Sequence, residues 1–207
     1  EAILVDYDKT NSNNFYDHLR KSFWWTNLGS NYIEYAFQLA RAADPTAKLF
    51  YNDYGIERYH NNPKAYYTYL LVSNLKAKNL IDGVGFQMHV VYTNFNPFEN
   101  GLELNLKRFA DLGIEIHITE MDVRIPATNG ISKEEDYELQ AKVYRDILSV
   151  CLSNTNVTAV VFWGFTDKYS WIPQYYPDYG NALLFDANYQ KKKSYYSVEE
   201  VLKNIKR

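Results

Sequence analysis

Four apolar, β-branched segments recur along this chain at intervals of about 30 to 45 residues, the length of one strand–helix–strand unit. They begin near Lys48, Gly83, Ile114 and Val157. Between them lie stretches whose apolar residues repeat every three or four positions, the period of a helix. This alternation selects parallel strands, because a parallel neighbour is reached only through a long crossover. Ser30 is predicted to cap a helix striped by Ile33, Ala36, Phe37 and Ala40 that stops before Asp44-Pro45. Lys48–Asn52 reads as a strand. Asn62-Pro63 opens a helix carrying Tyr67, Leu71 and Leu75. Gly83–His89 reads as one strand, with glycines for close packing. A helix from about Phe98 to Asp111 carries Leu102, Leu106 and Phe109. In Gly113–Val123, isoleucines alternate at 114, 116 and 118, and the strand ends on Glu120 and Asp122. Ser132 and Glu135 form a capping box ahead of a helix through Tyr144, Ile147, Leu148, Cys151 and Leu152. The run Val157–Trp163 reads as a strand covered on both faces. Ser197 with Glu200 is predicted to cap a last helix carrying Val198, Val201, Leu202 and Ile205.

Composition narrows the function classes. With 207 residues and a net charge of −3, the chain suffices for one domain with a sizeable core. No basic patch suggests nucleic acid as a partner, and Lys191–Lys193 reads as a solvated turn. No apolar run approaches the roughly 20 residues of a membrane span. No signal-peptide pattern opens the sequence. The lone Cys151 falls in a helical apolar pattern and reads as a buried thiol, silent on compartment. Aromatic residues make up 17% of the chain, including 20 Tyr and 4 Trp. Trp24-Trp25, Tyr66-Tyr67, Tyr175-Tyr176 and Tyr195-Tyr196 cannot all point inward, and flat amphipathic rings suit sugar faces and protein interfaces alike.

Chemistry gathers at the carboxyl ends of the strands: Asn52, Asp53 and Tyr54; Gln87 and His89; Glu120 and Asp122; Trp163, Asp167, Lys168 and Trp171. Parallel strands bring such ends to one mouth, as in an α/β barrel. No glycine-rich phosphate loop follows any strand, which disfavours a nucleotide-binding open sheet. Singly, each group has a plain reading: His89 as a core histidine, the tryptophans as core or rim, Asp53 as a cap. His89, Glu120 and Asp122 are also a conceivable zinc set, but the chain has four histidines and no His-x-x-x-His pair, so neither a metal nor a cofactor is expected. Two carboxylates, a histidine, amides and tryptophans together suit glycoside hydrolysis, in which retaining enzymes place two carboxyl groups about 5–5.5 Å apart.

Five segments in order, Asp44-Pro45, Lys48–Tyr54, Asp82–His89, Ile118–Asp122 and Phe162–Trp171, resemble the carboxyl-terminal portion of the catalytic barrel of glycoside hydrolase family 10 endo-β-1,4-xylanases. The resemblance implies a (β/α)₈ TIM barrel of which residues 1–207 supply the end of the fourth strand through the eighth helix, the first three strands and most of the fourth being absent. It implies retaining endo-hydrolysis of xylan with Glu120 as nucleophile, His89 bonding it, and Asp122 supporting that histidine. Gln87, Trp163 and Trp171 then line the subsite where the bond is cut, and Asn52 and Tyr54 the aglycone side. The family's acid/base lies in a Trp-Asp-Val-Val-Asn-Glu-Ala segment. Glu1-Ala2 aligns with its end, because Trp25 and Gly29–Ala36 continue as the family does. Gly55 departs from the family, where asparagine is usual. The implied partners are xylan or xylo-oligosaccharides and the remaining half of the barrel, and secretion is expected because xylan lies outside cells. Two alternatives stay open: another β-1,4-glycan such as cellulose or mannan, and an inert or merely sugar-binding fragment. An open half-barrel leaves sheet edges unpaired and its inner face wet, so the 207 residues alone are expected to be unstable or to associate.

Overall fold

A computed structural model of the chain describes residues 1–3, 14–128, 130 and 132–204. Its elements in order are α1 (Phe23–Leu28), α2 (Tyr32–Ala43), β1 (Phe50–Asp53), α3 (Pro63–Ala77), β2 (Gly83–Phe86), β3 (His89–Val91), α4 (Leu102–Ala110), β4 (Glu115–Pro126), α5 (Lys133–Ser153), β5 (Val157–Phe162), α6 (Ile172–Tyr175), β6 (Tyr179–Gly180) and α7 (Lys193–Asn204).

The four expected strands pair in parallel and in sequence order. Phe50 stands beside Gly83, Gly83 beside Glu115, and Ile118 beside Val160. Each crossover therefore lands on the next position with no reversal, the winding of a barrel wall; a doubly wound open sheet reverses at a switch point. β3 continues beside the upper half of β4, with His89 opposite Asp122. The short β6 adds an antiparallel rung at Ile125. The core lies between sheet and helices, where Ile116 and Ile118 meet Leu106, Phe109, Tyr144 and Ile147, all fully buried.

Local sequence explains most boundaries. The Asn62 side chain accepts from Ala65 N, and Pro63 sits at the first helical turn. Ser132 accepts from Glu135 N. Cys151 is buried, and burial pushes its thiol pKa up to about 12. Each aromatic doublet splits, one ring packing deeper than its neighbour: Tyr67 is buried while Tyr66 is exposed. Gly55, where the family has asparagine, lies at φ +67, a left-handed conformation that both residues tolerate.

Several expectations need correction. Ser30 is not a cap: α2 starts at Tyr32 after Asn31, with no side-chain cap bond. The Gly83–His89 strand is broken at Met88, whose φ is +64. The helix expected from Phe98 begins at Leu102, behind Gly101 at φ +70. Ser197 lies inside α7, which begins at Lys193; Lys193 is tied to Glu134 and Glu138 of α5. Ile205 lies outside the described residues. The lysine run is no solvated turn: Lys192 is buried against Asp167 at 2.9 Å. β5 is not covered on both faces: Thr158 and Val161 are exposed, and among the described residues it pairs only with β4.

Candidate active site

Glu120 is aimed by an irregularity in β4. Strict alternation after Ile116 and Ile118 would turn its side chain into the helix-facing core. The register of β4 against β5 shifts between Ile118 and Met121, and a bulge of this kind re-aims side chains. Consecutive residues then share one side: Thr119 Oγ1 donates to Asn52 Oδ1 at 2.7 Å, and Asn52 Nδ2 donates to Glu120 Oε1 at 3.0 Å. Gly85 makes room for this amide, since a Cβ there would lie 2.4 Å from Asn52 Oδ1. The other oxygen, Glu120 Oε2, lies 3.2 Å from His89 Nε2, while His89 Nδ1 lies 2.9 Å from Asp122 Oδ2. Asp122 is fully buried and also accepts from Trp171 Nε1 at 2.9 Å. Burial by itself lowers the His89 pKa; the hydrogen bonds and charges of Asp122 and Glu120 outweigh it and leave the pKa above its ordinary value. With an acceptor at each ring nitrogen, the doubly protonated imidazolium is the form that fits.

Glu1 faces the same cleft. Its Oε1 accepts from Gln87 Nε2 at 2.8 Å, and its main-chain nitrogen donates to the Asn52 carbonyl at 3.1 Å. The next residue is anchored from below. Ala2 N donates to Tyr51 Oη at 3.0 Å, and Tyr51 Oη donates to Asp53 Oδ2 at 2.5 Å. Asp53 pairs with Lys64 at 2.8 Å, both of them buried. Burial, then the Asp53 charge, push the Tyr51 pKa well up, so its hydroxyl keeps the proton it donates.

The cleft has a volume of about 710 Å³, and Glu1, Gln87, His89, Glu120, Trp163 and Trp171 all line it. Trp171 lies against His89 with ring centroids 4.9 Å apart, and Trp163 is half exposed at the rim. Tyr54 forms part of the wall, its hydroxyl accepting from Arg20 Nη2 at 3.3 Å and its ring under Lys64 Nζ at 3.5 Å. The sequence-selected residues Glu120, Glu1, His89, Asp122, Gln87, Trp163, Trp171, Asn52 and Tyr54 are thus brought together. Asp167 and Lys168 are not among them. Asp167 turns away to Leu183 N and Lys192 and pins the loop that carries both tryptophans, and Lys168 lies 5.2 Å over the Tyr189 ring.

Sequence reasoning passed over Arg20, Lys64 and Arg124, which line the cleft, and Tyr51 and Glu57, which accept main-chain amides. Lys64 did leave a signal: a cation in the first turn of a helix opposes the helix dipole, and here buried Asp53 accounts for it. Glu57 is a buried carboxylate accepting from Met88 N at 3.0 Å; its position two residues after Gly55 carries no periodic signal.

A model of glycosyl hydrolase family 10 matches residues 4–201. Endo-1,4-beta-xylanase B of Thermotoga neapolitana is 46% identical over 186 residues, 88% of this chain and 51% of that protein. Endo-1,4-beta-xylanase 5 of Pyricularia oryzae is 41% identical over 187 residues, 88% of this chain and 44% of that protein. The chain spans about half the length of the curated relatives it matches. Among solved structures, native xylanase 10B from Thermotoga maritima superposes with a TM-score of 0.83 at 48% identity, over 89% of this chain and 56% of that one. Xylanase 10B from Thermotoga petrophila, in complex with xylobiose, gives 0.84 at 46% identity, over 93% and 57%. These neighbours are TIM barrels, and the parallel strands described above form an arc of that fold.

Proposed function

Because the chain belongs to glycosyl hydrolase family 10, we propose that it carries the cleavage site of a retaining endo-β-1,4-xylanase and forms the carboxyl-terminal part of one such barrel, completed by a segment that supplies the remaining strands. The observation that carries this reading is the setting of Glu120. Both of its oxygens are engaged, one by the Asn52 amide and one by His89. A carboxylate held in that way has no proton to give and a fixed direction of attack, which suits a nucleophile. Among the described residues the Glu1 carboxyl takes one hydrogen bond, from Gln87, and it faces the same cleft, which suits the second carboxyl of a double displacement.

In this mechanism a β-1,4-xylan chain lies in the cleft with a sugar stacked on the tryptophans. Glu120 attacks the anomeric carbon as Glu1 gives its proton to the leaving oxygen. The bond from carbon to the departing sugar breaks and a covalent glycosyl ester forms. Glu1 then takes a proton from water, which displaces Glu120 and restores the starting configuration. His89, held by Asp122, keeps the Glu120 carboxylate oriented throughout. Xylobiose bound to the Thermotoga petrophila relative supports the substrate class.

The test is xylan hydrolysis by the protein that carries this chain, compared with its hydrolysis of soluble cellulose and mannan. Glu120→Ala should lower the rate by about 10³-fold or more, some 4 kcal/mol of barrier. Azide should rescue Glu120→Gly and give a glycosyl azide of inverted configuration. Rescue with retained configuration, or full activity without Glu120, would overturn the assignment.

A further inference from the structure

Met88 is the residue on which the two carboxylates jointly depend. It lies between β2 and β3, fully buried, in the left-handed region at φ +64, which a residue bearing a Cβ rarely adopts. Its neighbours on both sides reach the reacting groups: Gln87 bonds Glu1, and His89 bonds Glu120 and Asp122. The same kink also receives β4. Glu120 N donates to the Gln87 carbonyl at 3.1 Å, and Asp122 N donates to the Met88 carbonyl at 3.3 Å. Nothing in the Met88 side chain favours the kink. Its amide, though, points at a carboxylate from a different element: Met88 N donates to Oε1 of Glu57, in the loop after β1, at 3.0 Å. Glu57 is itself buried, and a buried amide left without an acceptor is strongly disfavoured.

Resting on the assignment of Glu1 and Glu120 above, we infer that Glu57 is a positioning residue: by accepting the Met88 amide it fixes the left-handed kink and thereby aims Gln87 at Glu1 and His89 at Glu120. It touches neither substrate nor the reacting atoms. A change in the Met88 dihedral swings the residues on either side of it, so both carboxylates lose their partners together. Removing His89 or Gln87 alone loosens one carboxylate only.

The experiment uses the protein that carries this chain and compares Glu57→Gln, which keeps an acceptor oxygen at the same reach, with Glu57→Asp, which withdraws it by one methylene. Two readouts are taken: kcat and KM on an aryl β-xylobioside, and the ¹⁵N signals of the His89 imidazole, which report its two hydrogen bonds. Glu57→Asp is expected to lower kcat about 10- to 100-fold with KM changed less than about threefold, the pattern of a misplaced reacting group rather than lost binding. It should also displace the His89 signals. Glu57→Gln should hold kcat within about threefold and leave the His89 signals in place, rescued by its carbonyl. Unmoved His89 signals in Glu57→Asp, or equal losses in both variants, would overturn the inference. If the wild-type protein hydrolyses no xyloside, the proposed function fails, and the His89 signals still decide the role of Glu57. Should Glu57→Asp not fold, the double variant Glu57→Asp/Met88→Gly decides. Glycine takes the kink freely, so the double variant folds with wild-type His89 signals if the kink is what Glu57 holds, and fails to fold or shows displaced His89 signals if it is not.

Discussion

His89 lies between two acids, and its protonation governs how Glu120 is held. Burial pulls its pKa down, and the bonds and charges of Asp122 and Glu120 pull it up further, for a net rise above the ordinary value near 6.5. A raised histidine contributes stability that is fully present below its unfolded pKa and is lost as pH rises through the raised folded value. The grip on Glu120 should therefore persist to higher pH than a free histidine would allow, then fail on the alkaline side. NMR titration of the His89 ring should give a midpoint above about 6.5, and Asp122→Asn should move that midpoint down. A midpoint at or below the ordinary value would sink the electrostatic account. These residues were individually ambiguous in the sequence, where a histidine at a strand end is as readily a core residue. The ordered motifs made His89 the partner of Glu120. Glu57 and Tyr51 stayed hidden because they act through main-chain amides, Met88 N and Ala2 N, and a side chain's bond to a distant amide leaves no pattern in spacing.

At the scale of elements, periodicity located the strands and missed their breaks. The alternation through Ile114, Ile116 and Ile118 was legible, whereas the irregularity that brings Thr119 and Glu120 to one side of β4 was not, because a bulge inserts a residue without changing composition. The break at Met88 was hidden for the same reason: methionine carries no turn signal. Caps at Asn62 and Ser132 were legible beside proline and glutamate partners, but serines at 30 and 197 were over-read: α2 starts after Asn31 and α7 already at Lys193. The glycines of β2 were rightly read as close-approach sites, and Gly85 gives that reading a consequence. An added methyl would meet Asn52 Oδ1 at 2.4 Å and Thr119 Cγ2 at 2.9 Å. Gly85→Ala should therefore displace the amide that holds Glu120. It is expected to destabilise by about 1–3 kcal/mol in urea unfolding, the range for overpacking, and to lower kcat as well. A variant with wild-type kcat would show that Asn52 does not need its place over Gly85.

At the scale of the whole molecule, the described residues leave two sides open. Among the described residues β1 pairs only with β2, and β5 only with β4. Near the first edge, α1 and α2 leave Phe23, Trp24, Leu28, Tyr35 and Leu39 exposed, with Phe23 at 71%. Near the second, a groove of about 290 Å³ between β5 and α7 is lined by Leu148, Leu152, Val157, Phe162, Val198 and Leu202, and Val161 is exposed beside it. Open strand edges and apolar faces of this kind invite pairing with another chain. The matched relatives extend over about twice the aligned length, and under the function proposed above the remaining strands of such a barrel are the occupant expected at both edges. The 207 residues by themselves should therefore sediment as a self-associating species, or melt without a single cooperative transition. Mixed with a polypeptide covering the unmatched half of the Thermotoga neapolitana relative, they should form a monomeric one-to-one complex that melts cooperatively and gains xylan hydrolysis dependent on Glu120. A monomer that unfolds in one sharp step and binds no such partner would show that α1, α2 and β5 are stable with these faces in water.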